Sequence, residues 1–458
     1  SKINTAAGIN QGLTDSRRVR TNSRTEKNAQ FGFGMAFGYS FRDTYDIYGS
    51  YKRDASSLLP SNKRWNTAWS AGAGWRFGNY AFMKTNKVVT DINLRFSYGY
   101  TAGMAGIDVA GTVPVFAYQT EVYASGRIFS LKSLYNKDLK PQQIQNTNAG
   151  AELTFLNRWN VSADIYKNTT GDAILSMPIP PSNGYDQMYR NIGVLENSGL
   201  EIKISGDIVR LNRFTWNTAL SLSHNKNKVV KLYGGDKLFS NNDIQLPDME
   251  VGKPVGTIYG LRSLGIHPID GLPRFLSGEG KEIDYTYYSS LRSNDFVQLG
   301  YNTPPYMGFF NSSVTYGALS LSFNFYFSFG GISTYSRRYV RDRDEIQYNA
   351  VKGQTSDMWF KPGDENKMYH TPNIPGSAYS ILDLPSSETV FKTDFIRLNN
   401  VALNYRLPAS LLAKTGFVRY MQINVQAQNL WSARKETDKA SLINVVQPVI
   451  VCGLNVTF

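Results

Sequence analysis

The side chains best suited to covalent chemistry here are three histidines, His224, His267 and His370, and one cysteine, Cys452. Hydrolysis near neutral pH needs a base within reach of a nucleophile and a third group to orient it. These histidines are widely separated, none is paired at metal-ligand spacing, and none stands beside a nucleophile motif. Cys452 alone forms no internal disulfide and offers no cysteine framework for a metal. The stretch GAGWRFG at 72–78 has the glycine density of a nucleotide loop, but no strand-to-helix pattern follows it, and glycines facing a lumen explain it better. The residues point away from an enzyme, and no cofactor or metal is expected.

Recognition chemistry is better represented. PIPPSNGYDQMYRN at 178–191 sets Tyr185, Tyr189 and Arg190 beside rigid prolines, and aromatic faces bind sugars and peptides alike by stacking. The stretch is read as a ligand or lid contact, with plain turn chemistry as the alternative. MWFKPGDENKMYH at 358–370 is the second candidate, with Trp359 and Tyr369 expected to be exposed on a loop. STYSRRYVRDRDE at 333–345 gathers Arg337, Arg338, Arg341 and Arg343. Such a cluster grips lipopolysaccharide phosphates or an acidic partner; alternatively the loop is held by its own Asp342, Asp344 and Glu345.

The elements that must position these stretches show in a period of two. FGFGMAFGYSF puts Phe31, Phe33, Met35, Phe37, Tyr39 and Phe41 on one face and Gly32, Gly34, Ala36, Gly38 and Ser40 on the other. LSLSFNFYFSF repeats the pattern, with Leu319 to Phe329 opposing Ser320, Ser322, Asn324, Tyr326 and Ser328. MQINVQAQ sets Met421, Ile423, Val425 and Ala427 against Gln422, Asn424, Gln426 and Gln428. Such alternation recurs about a dozen times, over roughly the 9 to 11 residues a strand needs to cross a bilayer. Short turns near 42, 156–159, 211 and 316–318 alternate with long connections, above all 228–306 and 331–392. A soluble sandwich also alternates, but its strands are about half as long.

Composition agrees. The chain carries 29 Tyr, 25 Phe and 39 Gly, yet its mean hydropathy is −0.34, as expected when one face of every strand is wet. No stretch reaches the roughly 18 apolar residues of a spanning helix. The net charge of +13 is spread along the sequence rather than gathered on one face, so no nucleic-acid partner is expected. SKINTAAGIN lacks a secretory signal pattern, so the chain is either mature or begins internally. The fold class is therefore an all-β transmembrane antiparallel barrel of about thirteen strands over 31–458, with 1–30 holding a partial strand and a surface loop. Bacterial single-chain barrels close on an even count, so an upstream partner segment is expected.

Several stretches, in order, resemble the C-terminal half of the SusC/RagA family of TonB-linked outer-membrane transporters of Bacteroidetes. They are IYGSYKRDASS with AGAGWRF, LNRWNVSADIYKNTTGDAIL with PIPPSNGY, NIGVLENSGLEI, EVGKPVGTIYGL, PPYMGFFNSSVTYGALSLSFNFYFSFGG, FIRLNNVALNYRLP and QNLW. The resemblance implies a 22-stranded barrel in the bacterial outer membrane, plugged by an N-terminal domain, capped by a SusD-like surface lipoprotein and driven by TonB to import glycans or peptides. The plug and TonB box would lie upstream of residue 1, and the family's Asp-rich loop is replaced by IDYTYYSSLRSND near 283–295, which removes the best reason to expect calcium. The ending with Leu454, Val456 and Phe458 on one parity resembles the signal read by the barrel-assembly machinery; a simple girdle aromatic is the alternative. A SusC-like barrel acting as a scaffold in an outer-membrane complex, without transport, is the other functional reading.

Overall fold

A computed structural model describes residues 29–103, 116–123, 126–131, 134–185, 187–241, 244–334, 357–367, 379–434 and 447–458. The expected partial strand before residue 29 lies outside them.

Twenty-three strands follow in chain order: β1 (Gln30–Phe41), β2 (Tyr45–Ser56), β3 (Trp65–Arg76), β4 (Val89–Gly103), β5 (Phe116–Tyr123), β6 (Gly126–Leu131), β7 (Gln142–Phe155), β8 (Trp159–Pro178), β9 (Gln187–Arg210), β10 (Phe214–Leu232), β11 (Lys237–Asn241), β12 (Leu246–Glu250), β13 (Thr257–Ile266), β14 (Pro273–Leu276), β15 (Glu282–Ile283), β16 (Phe296–Tyr301), β17 (Tyr306–Tyr316), β18 (Leu319–Phe329), β19 (Ile332–Thr334), β20 (Val390–Lys392), β21 (Phe395–Arg406), β22 (Tyr420–Arg434) and β23 (Val449–Thr457). Thirteen of them form one antiparallel wall in the order β1-β2-β3-β4-β7-β8-β9-β10-β17-β18-β21-β22-β23. Since neighbours alternate in direction, β1 and β23 run the same way. Antiparallel closure of such a wall takes an odd number of further strands.

Register carries the apolar parity from strand to strand. Ile165 stands opposite Leu200, Leu200 opposite His224, His224 opposite Tyr306 and Tyr306 opposite Phe329. A one-residue slip would turn the whole oily face of a strand inward. The result is an outer face of exposed large side chains, among them Met35 at 69%, Phe37 at 66% and Leu454 at 59% exposure. In water that would be a very large apolar patch; against lipid it is the ordinary exterior of a barrel.

The two rims differ. At one, Arg42 and Asp43 (φ 52° and 49°) and Leu156 and Asn157 (φ 54° and 50°) supply the paired left-handed residues of tight hairpin turns. That rim also holds the connection 77–88, longer than the others because it carries α1 (Ala81–Thr85), and 407–419 with α3 (Ala409–Leu412). The opposite rim bears 57–64, 104–141, 179–186, 233–305, 330–394 and 435–448. The connection 179–186 is short because the strands on both sides of it continue past the bilayer: β8 has 20 residues and β9 has 24.

The largest connection folds into a body of its own. Strands β15-β14-β13-β16 make a four-stranded sheet, and Tyr259, Leu261, Phe275, Leu291 and Phe296 pack with Ile381 and Leu382 from the next excursion, where α2 (Tyr379–Leu382) lies. Two backbone bonds tie the excursions together, from the Leu261 amide to the Pro385 carbonyl and from the Ser387 amide to the Leu261 carbonyl, each 2.9 Å. Burial, and then a 2.9 Å bond donated to Glu250, push the Tyr259 hydroxyl far above its ordinary range. Asp284 caps the short helical turn 285–290, accepting from the Thr286 amide at 2.9 Å and from the Thr286 hydroxyl at 2.6 Å. The hydroxyl bond is the main cause holding its carboxyl below the usual value. A lowered folded pKa means the cap stabilises at neutral pH and is lost as the pH falls through that value. Asp284→Ala is expected to loosen this turn by about 1 kcal/mol, read as faster amide exchange at 285–290 with the wall unchanged.

Candidate functional site

The inner face of the wall is polar, and its side chains bond to one another across strands. On β4, β7 and β8, Arg95 reaches Asp164 through Nε at 3.2 Å and also pairs with Glu152. Gly150 lies between these strands: a Cβ there would stand 2.4 Å from the Asp164 carboxylate and 2.6 Å from Arg95 Nε. The glycine is what lets the ion cluster form. Further round, amides replace charges. Asn324 donates to Asn311 at 2.6 Å, Asn399 to Asn324 at 3.2 Å and Gln426 to Asn400 at 2.9 Å.

On the same strands as these amides, nearer the long-loop rim, the inner face holds an aromatic cluster. Phe309 of β17 stacks on Tyr326 of β18 at 4.8 Å, and Phe395 of β21 meets Tyr326 edge-on at 5.2 Å with the Arg397 guanidinium 5.0 Å from its centroid. Phe309 remains 43% exposed and borders a hollow of about 420 Å³ shared with Asp164, Glu201, Lys203 and Ser221. An exposed ring beside carboxylate, ammonium and hydroxyl groups can stack on a planar or pyranose ring and bond its polar edge. No covalent chemistry is arranged here, and among the described residues no three His, Cys, Asp or Glu side chains gather to hold a metal.

The structure redistributes the recognition residues expected from sequence. Tyr185 stands in the connection 179–186, but Tyr189 and Arg190 lie within β9, opposite Ser176 and Leu175 of β8. As consecutive strand residues they point to opposite faces, so the three do not converge. Trp359 is a correction. It is 7% exposed, not a free loop side chain, because its indole packs over Gly271, whose φ of 69° and missing Cβ leave the backbone bare. The exposed aromatic there is its neighbour Phe360, at 61%. Tyr369 and the basic stretch Arg337, Arg338, Arg341 and Arg343 lie outside the described residues. Leu454 and Val456 lie on the outer parity of β23, and Phe458, just past its end, stacks on Phe417 at 6.0 Å.

Sequence reasoning missed Arg95, Glu152, Asp164, Phe309, Phe395 and Arg397. Their signal was present as large or charged residues on the polar parity of long strands, where small and amide side chains predominate.

The family model for TonB dependent receptor-like beta-barrels matches residues 4–430. The chain belongs to this family. TonB-dependent receptor P39 of Formosa agariphila is 27% identical over 443 residues, covering 86% of this chain and 41% of that protein. TonB-dependent receptor SusC of Bacteroides thetaiotaomicron is 28% identical over 250 residues, covering 51% of this chain and 25% of that protein. The RagAB peptide transporter structure superposes with a TM-score of 0.74 at 22% identity, covering 93% of this chain and 46% of that one. The chain thus spans less than half the length of these relatives. This receptor-like barrel is SusC/RagA-like in fold, lies in the outer membrane, and belongs to a family of receptors rather than enzymes.

Proposed function

We propose that this chain forms the C-terminal barrel portion of a TonB-dependent importer of glycans or peptides that works with a SusD-like lipoprotein lid. The observation that carries the reading is a wet, small-residue inner wall standing beneath a folded surface body built from two excursions of that wall. A scaffold needs the body but not the bonded polar lumen. In this reading the surface body receives the lid, while the ring of Phe309 and the carboxylates beside it offer passing cargo a weak contact. The companion lipoprotein is supported by the fold shared with the RagAB complex, and TonB by the family.

The test is uptake of labelled oligosaccharides and oligopeptides by cells carrying the full-length protein, with and without TonB. Import of one class that disappears without TonB is expected. Equal accumulation in both strains would favour the scaffold. Within a working transporter, Phe309→Ala removes one stacked ring, a contact worth roughly 0.5–1.5 kcal/mol, and is expected to lower uptake about two- to tenfold while leaving protein levels unchanged.

A further inference from the structure

A second site stands on the outside of the wall. The top apolar row of this sector runs Ile165, Leu200, His224, Tyr306. The next outward row toward the long-loop rim is Lys167, Ser198, Lys226, and the one above it Thr169, Glu196, Lys228. Glu196 is engaged, 2.8 Å from Lys167. Lys226 and Lys228 are exposed, and among the described residues neither has a carboxylate within ion-pair distance. They do not stand on a smooth surface either. β17 begins at Tyr306, so past the 3.0 Å bond from the Asn225 amide to the Pro305 carbonyl the edge of β10 away from β9 runs on to Val229, whose amide bonds to the Lys253 carbonyl at 2.8 Å. The interval is a notch of about 270 Å³, bordered by His224, Lys226, Lys228, Thr303 and Tyr306. The imidazole stacks on Tyr306 at 4.6 Å and its Nδ1 lies 3.2 Å from the Pro305 carbonyl oxygen, which fixes the lower wall of the notch.

We propose that this notch binds a phosphate ester carried on the head group of an outer-leaflet lipid. Two ammonium groups with no carboxylate within ion-pair distance among the described residues, one row above hydrocarbon level, meet the anionic head groups of the leaflet there. The acyl chains then lie along Leu200, Leu222 and Tyr306, and the Thr303 hydroxyl and the lysines take the phosphate oxygens. The site depends on the outer-membrane position of the wall, and stands whether or not the protein transports.

The test is native mass spectrometry of the full-length protein extracted in detergent, titrated with diphosphorylated lipid A, with dephosphorylated lipid A, and with inorganic phosphate. The parent is expected to retain the phosphorylated lipid at least about tenfold better than the dephosphorylated one. Lys226→Gln with Lys228→Gln is expected to abolish that preference, and Lys226→Arg with Lys228→Arg to keep it. Lys52→Gln, on the inner face of β2, should leave that preference unchanged. Heat-dependent mobility on gels establishes that each variant is folded. Equal retention of both lipids by the parent, or an unaltered preference in the double glutamine variant, overturns the site. Capture of inorganic phosphate without preference for the phosphorylated lipid places its ligand in solution and overturns the lipid assignment.

Discussion

Leu261→Ala is expected to open the surface body while leaving the wall intact. Leu261 is fully buried, and truncating such a leucine costs about 2–5 kcal/mol, from lost transfer energy and from the cavity left behind. Its backbone also carries the two backbone–backbone bonds between the excursions, to Pro385 and Ser387, beside the bonds that Ser263 of the same strand donates to Ser387 and Glu388. Loosening β13 therefore releases 379–392 as well. Hydrogen exchange should accelerate at least about thirtyfold across 257–266 and 379–392, with β7 to β10 keeping their protection. Because the lid is proposed to rest on this body, the variant should also retain less co-purifying lipoprotein. Unchanged exchange at 379–392 would mean that the two excursions are held together by something other than this core.

Phe325→Arg is expected to block barrel assembly. Phe325 lies midway along β18 on the outer parity, edge-on to Phe323 at 5.9 Å and to Trp431 at 6.5 Å. An arginine facing lipid near the midplane costs about 2–4 kcal/mol, and here it also removes two aromatic contacts. Ser322→Arg places the same charge three residues away on the inner face, where water receives it. The first variant should lose heat-modifiable, membrane-inserted protein, and the second should keep it. Equal loss in both would contradict the assignment of faces.

The contrast between these two substitutions was legible in the sequence, because a period of two records which solvent each side chain meets. LSLSFNFYFSF contains the answer for β18 without reference to any other strand. The thirteen-strand wall and the alternation of rims were legible for the same reason, since turns and parity are local properties. What was not legible depended on distant pairing. β8 and β9 continue beyond the bilayer because GDAILSMP finds QMYRNIGV across two register shifts, and no period in either stretch announces its partner. The prolines of PIPPSNGY read as turn chemistry, yet Tyr189 and Arg190 just beyond them belong to a strand. Trp359 was expected to be exposed because its neighbours Lys361, Pro362, Gly363 and Asp364 are loop-like; it is buried because Gly271, far off in sequence, leaves a bare backbone beneath it. The ion cluster of Arg95, Glu152 and Asp164 likewise draws on three strands and on the absence of a side chain at Gly150.

The central claim is that one sheet separates lipid from a wet lumen. A nitroxide scan along β18 tests it most directly. In the full-length protein with its native cysteines, Cys452 among them, replaced by serine, single cysteines at each position from 319 to 329 would be spin-labelled in membranes. Collision rates with oxygen and with a water-soluble nickel chelate would then be read at every site. Oxygen should prevail at 319, 321, 323, 325, 327 and 329 and the chelate at 320, 322, 324, 326 and 328. Rates without a period of two, or with the two reagents exchanged, would contradict the account.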